Sequence, residues 1–191
     1  LCIMSYTVVL ALEVSPMVLQ RLGMNKLRKK FEKLLFVFIA LGVLLPTMHQ
    51  SSLGSMLMVF GPQIDPIYQT PALPVLFLTS TIGMGLAAVV VEGSLTSLAL
   101  RRPFERDLLG GLVRVGRGIA FVFVIVRFVD LGARDLLPAL FELRGLTLMF
   151  WIEIALFVSP IVLLGGRSGR RPSRMFTAAC LLALGGILYR I

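Results

Sequence analysis

Six apolar stretches, separated by short polar ones, run the length of the chain, over about residues 1–19, 34–53, 73–100, 112–131, 146–164 and 175–189. Their lengths lie near the roughly 20 residues that cross a hydrocarbon core ~30 Å thick, at ~1.5 Å per helical residue. Runs such as 34–45 and 86–91 show no alternation of apolar and polar positions. Strands of a membrane barrel would alternate over ~10 residues. A helix satisfies its own backbone hydrogen bonds, as lipid requires. The pattern predicts an all-α fold, a polytopic transmembrane helical bundle with six spans, and a single integral membrane domain over 1–191. The sequence opens at Leu1, and both of its ends fall in apolar stretches. It therefore reads as a partial segment of a longer bundle.

Composition points the same way. Hydrophobic residues make up 57% and charged residues 15%, against about 25% charged in a soluble domain. The mean hydropathy is +0.92. The net charge of +9 acts as a topology signal, because 15 of the 19 basic residues gather at the first, third and fifth connections. Arg21 to Lys33, Arg101 to Arg117 and Arg167 to Arg174 thus mark the cytoplasmic face, which places both ends of the sequence outside. The basic residues carry no aromatic interleaving and no binding motif, so nucleic acid is not expected as a partner. Membrane lipid is, through anionic headgroups. Cys2 and Cys180 form no CxxC pair and read as packing residues.

Charged side chains inside the hydrocarbon cost about 2.5–3.5 kcal/mol each on insertion scales, so those present are candidates for function. Glu13 falls about 10 Å from the basic face and Glu92 about 12 Å, by helical rise; His49 falls about 22 Å away, in the outer third. Arg127 and Asp130 sit near the outer end of the fourth span and Glu153 in the outer half of the fifth. Titratable groups at successive depths suit a proton path. The simpler reading of Arg127 and Asp130, three apart on one helix face, is mutual neutralisation. For Glu13, Glu92 and Glu153 it is a neutral packing carboxyl.

His49 is the only histidine. It stands with Gln50, Ser51 and Ser52 one turn after Pro46. A quinone headgroup needs donors to its carbonyls, a proton exchanger and an apolar pocket, and an imidazole exchanges protons near neutral pH. One histidine does not supply a two-histidine haem site, and no His/Cys/Asp/Glu cluster has metal-ligand spacing. The residues therefore predict neither haem nor metal here. A proton-coupled secondary transporter would also carry buried carboxylates, but would often show paired broken helices in repeated halves. No such symmetry is visible.

The runs LALEVSP (10–16), PTMHQSSLGS (46–55) and LPVLFLTSTIGMGLAAVVVEG (73–93) resemble the NrfD/PsrC family. With RFVDLG (127–132) and FWIEIALFVSPIVLL (150–164) they are most similar to its HybB-type branch. The resemblance implies a membrane subunit, in the cytoplasmic (inner) membrane of a bacterium or archaeon, that trades electrons with exchangeable quinone or menaquinone. It implies two partners, a ferredoxin-like iron–sulfur subunit and a catalytic subunit. Glu13, His49 and Glu92 match positions proposed for quinone-linked proton transfer. His49, Gln50, Ser51 and Ser52 are the expected quinone contacts. The outer loop 61–72, free of basic charge, is expected at the partner interface.

Overall fold

The computed structural model describes residues 2–59, 65–101, 104–141, 145–165 and 171–190. Their regular structure is helical throughout, as the sequence pattern predicts. The helices are α1 (Cys2–Arg21), α2 (Asn25–Val59), α3 (Leu73–Ala99), α4 (Arg106–Ala133), α5 (Gly145–Leu163) and α6 (Pro172–Leu188). A 3-10 turn at Pro138–Phe141 makes a seventh helical element beyond the six expected. Among the described residues, four helices have the length and hydropathy to cross a membrane: Lys33–Val59 of α2, then α3, α4 and α5. At 17 residues, α6 is a shorter apolar helix. The chain is a multi-pass membrane protein.

The first connection is much shorter than its charge suggests. The expected loop over 21–33 contracts to 22–24, and Lys29, Lys30 and Lys33 ride on the first turns of α2. Lysine, arginine and glutamate are good helix formers, so a solvated basic run stays helical. What ends α1 is Gly23, at φ +74°. Its N–H donates to Gln20 O at 3.2 Å, and Met24 N–H donates to Leu19 O at 3.1 Å. This closure needs a left-handed residue, which glycine adopts without strain. Asp135 closes α4 in the same way at φ 53°. The 35 residues of α2 extend about 50 Å, so its basic turns continue past the ~30 Å core.

The chain divides into two compact units, 1–53 and 54–191. In the first, Glu13 of α1 lies against Gly42 of α2, in space that a Cβ would fill. In the second, each helix packs on the next around a ring, α3 on α4, α4 on α5, α5 on α6 and α6 back on α3. The ring's core includes Leu76, Phe123 and Phe157, all 1% exposed or less. Phe123 and Phe157 stack at 4.0 Å, and Tyr189 meets Phe123 edge-on at 5.2 Å. Gly185 and Gly186 let α6 come close: an added Cβ would meet the Phe157 ring and Met84 at 3.3 Å. Small residues serve helix packing in lipid this way.

A second apolar cluster joins Ile67 of the outer loop to Leu131, Leu140, Phe150 and Ile154. Trp151 Nε1 donates to Leu140 O at 3.2 Å, tying the 3-10 turn to α5. Outward-facing residues such as Phe36, Leu98, Val129 and Val162 are large, apolar and well exposed. Such a surface suits lipid rather than water.

Candidate functional site

The expected quinone contacts lie on an unbroken stretch of α2, which remains helical through Pro46. Four consecutive helical residues point through about 300° of the circumference. His49 and Ser52 share a face, and Gln50 points elsewhere. His49 and Gln50 are half-buried and Ser52 is exposed. The Gln50 Oε1 is buried with no hydrogen-bond partner among the described residues. Glu13 meets α2 at Gly42, seven residues and about 10 Å before His49. The fold does not make Glu13 and His49 neighbours.

Glu92 belongs to the second unit. It is exposed rather than buried within that unit. It lines an open pocket of about 340 Å³ with Thr96, Ser97 and Glu105.

Two charged residues are fully buried among the described residues, and sequence reasoning had not paired them with each other. Arg127 of α4 is 0% exposed and Glu153 of α5 is 1% exposed. Arg127 Nε lies 3.8 Å from Glu153 Oε1. The two belong to the buried stripes of their helices, Leu109–Val113–Gly116–Ala120–Phe123–Arg127–Leu131 on α4 and Thr147–Phe150–Glu153–Phe157 on α5. Three rings surround the guanidinium: Tyr68 at 4.8 Å, Phe150 at 5.3 Å and Tyr189 at 5.6 Å.

This corrects the expected pairing of Arg127 with Asp130. Asp130 turns to Arg134, one turn further along α4, in a close ion pair, and accepts a hydrogen bond from Thr70 Oγ1 at 2.6 Å. Arg134 also donates to the carbonyls of Gln69 and of Pro66, the latter at 2.8 Å. These bonds pin the outer loop to the end of α4 and carry Tyr68 onto Arg127. Burial pushes the Tyr68 phenol up to about 12, and the nearby Glu153 carboxylate adds to the rise. The part of the loop at 60–64 lies outside the described residues.

One signal for the Arg127–Glu153 pair was available in the sequence. By helical rise Arg127 sits about 6 Å inside the outer end of the 112–131 stretch and Glu153 about 10 Å inside that of the 146–164 stretch, so opposite charges in the same half of adjacent spans could have been paired. Tyr68, Thr70 and Tyr189 gave no such signal, because a loop tyrosine or threonine is ordinary.

Among the described residues no three His, Cys, Asp or Glu side chains group to hold a metal ion. Cys180 is a free thiol, half-buried on α6. The side chain of Cys2 lies outside the described residues.

No family model matches the chain, and no solved structure matches it. The chain is 38% identical over 188 residues to an Escherichia coli (strain K12) protein named "Probable Ni/Fe-hydrogenase 2 b-type cytochrome subunit". That alignment takes in 97% of the chain and 48% of the relative. The chain is also 26% identical over 212 residues to the "Menaquinone reductase, integral membrane subunit" of Nitratidesulfovibrio vulgaris, covering 96% of the chain and 50% of that protein. It thus spans about half the length of these curated relatives.

These findings correct three expectations. The hydrogenase branch of the resemblance agrees with the first relative, but assignment to the NrfD/PsrC family is not carried further, because no family model matches. The partial-segment reading is withdrawn, since the proportion of a relative that is covered does not say where a polypeptide starts or stops. The exclusion of haem is overturned by the first relative's name. A lone histidine rules out only a two-histidine site contained within this chain. A haem shared between subunits, or held by imidazole and thioether, asks one imidazole of it.

Proposed function

We propose that the chain is an electron-transferring membrane subunit of a respiratory oxidoreductase complex in a bacterial or archaeal inner membrane. It exchanges electrons between the quinone pool and an iron–sulfur partner of the ferredoxin type, beyond which lies a catalytic subunit. The observation carrying this reading is similarity over nearly the whole chain to two membrane subunits of redox complexes, one of them named for menaquinone reduction. The local chemistry supports it. His49 is half-buried in an apolar helix beside Gln50, whose buried Oε1 has no partner among the described residues. An imidazole can take up and return a proton; Ser52 shares its helix face, and Gln50 and Ser51 add polar groups on the neighbouring faces. Glu13, packed on Gly42, and Glu92, open to its pocket, supply protons. The redox chemistry itself belongs to the quinone and to bound cofactors, which the protein positions and supplies with protons.

The test uses the intact complex purified with its native partners. Turnover is measured with a soluble menaquinone analogue and, separately, with an artificial dye that takes electrons from the catalytic subunit. His49→Ala is expected to remove quinone-linked turnover and leave dye-linked turnover unchanged. Glu13→Gln and Glu92→Gln are expected to retain analogue binding while slowing quinone-linked turnover. Full quinone-linked turnover in His49→Ala would place the quinone elsewhere.

A further inference from the structure

Among the described residues, most of the buried side-chain polar atoms without a hydrogen-bond partner belong to four residues of the second unit. All three guanidinium nitrogens of Arg127 lack a hydrogen-bond partner among the described residues. So do Glu153 Oε1, Thr147 Oγ1 and the Tyr189 hydroxyl. None of these residues is more than 8% exposed, and Arg127 is at 0%. Thr147, Phe150 and Glu153 share the buried face of α5, each one turn from the next.

A guanidinium carries five N–H donors and no acceptor. One carboxylate cannot occupy them all, and here it touches only Nε, at 3.8 Å. That separation exceeds the ~2.7–2.9 Å of a direct charge-assisted bond. The rings of Tyr68, Phe150 and Tyr189 offer their faces to the charge, but they are weak acceptors for directed N–H groups. Native proteins leave very few buried polar atoms unsatisfied, and internal water usually serves those without a protein partner, making about three bonds each. Water can both accept from a guanidinium and donate to a carboxylate. An anion would satisfy the arginine but repel Glu153.

We propose that the Arg127–Glu153 layer is an internal water-binding site, a hydrated ion pair within an apolar bundle, closed on the loop side by Tyr68. Water bridges the guanidinium to Glu153 and reaches the Thr147 and Tyr189 hydroxyls. The Arg134 and Asp130 bonds to the loop hold Tyr68 in place as the cover.

X-ray hydroxyl-radical footprinting of the full chain in lipid nanodiscs tests this, because ordered internal water produces radicals where bulk water does not reach. The internal comparison is between two equally buried rings: Phe150, beside Arg127 and 0% exposed, and Phe157, in the dry stack with Phe123 and 1% exposed. Phe150 is expected to be labelled several-fold faster than Phe157. In a folded Arg127→Leu/Glu153→Leu double variant, Phe150 should fall to the Phe157 rate. Equal rates in the unaltered protein would overturn the proposal, as would fast Phe150 labelling that persists in the folded double variant. Labelling suppressed by added chloride would assign the layer to an anion and overturn it too. If the double variant does not fold, the rate ratio in the unaltered protein decides alone.

Discussion

Removing the carboxylate beside Arg127 should be among the most damaging single changes in the membrane-embedded part of the chain. Glu153→Leu leaves a guanidinium at 0% exposure with no anionic neighbour, and an arginine cannot shed its proton. Breaking a buried pair by deleting one partner costs about 3–5 kcal/mol. Transfer scales give about 2.5–3.5 kcal/mol for one charge at the centre of a membrane helix. The two estimates meet near 3 kcal/mol, which is about two decades in the folding equilibrium at ~1.4 kcal/mol per decade. Arg127→Leu should cost less, since a stranded carboxyl can neutralise itself by taking up a proton. The double variant should lie within about 1 kcal/mol of the unaltered protein or above it, because apolar replacement of a whole buried pair is often neutral or stabilising. The costs of the single changes should therefore largely vanish when both are made. The assay is reversible denaturant unfolding of all four proteins in detergent micelles, followed by helical circular dichroism. Strictly additive costs would show that Arg127 and Glu153 do not act as a pair and would refute this account.

Other outcomes follow from local geometry. Gly54→Ala would press a Cβ within 2.7 Å of Pro74 Cα; as this is backbone, a loss of about 1–3 kcal/mol is expected on unfolding. Gly85→Ala meets nothing within 4 Å and should be neutral or stabilising by about 0.5–1 kcal/mol. Arg134→Ala frees the carbonyls of Pro66 and Gln69, so hydrogen exchange across 65–70 should quicken while the centre of α4 is unchanged. Tyr68 should ionise near pH 12 rather than at its ordinary 10.0. The folded form then holds its proton longer than the unfolded form, and stability is lost as pH rises between those values. Phenolate absorbance difference spectra against Tyr68→Phe check this, and a Tyr68 phenolate appearing near pH 10 would contradict it. A cysteine placed at Asp65 should react with an impermeant thiol reagent from the outside in oriented vesicles, given the basic residues at the opposite helix ends.

The helices were legible because run length and hydropathy act locally. A stretch such as 73–100 holds no charge near its centre and is long enough to span, and the structure returns it as Leu73–Ala99. The capping at Gly23 and the proline near the start of α3 and of α6 are likewise written in short stretches of sequence. Charge placement blurred the helix starts: the basic run after Arg21 reads as a loop, yet its residues are helix formers and α2 begins at Asn25.

The partners of the charges were decided elsewhere. Arg127 and Asp130 share a face by spacing, and sequence proximity pairs them. Packing separates them, because residue 127 falls on the stripe of α4 that turns inward and residue 130 at its edge, where the outer loop and Arg134 reach it. Glu92 shows the converse. Its apolar setting suggests burial, but the side of α3 that carries it faces outward within this chain. A helix's own sequence fixes which residues lie together along it. Which of its faces meets a neighbour depends on the volume and charge of residues far away in the chain, such as Glu153, Tyr68 and Tyr189, and only the folded arrangement brings these to Arg127.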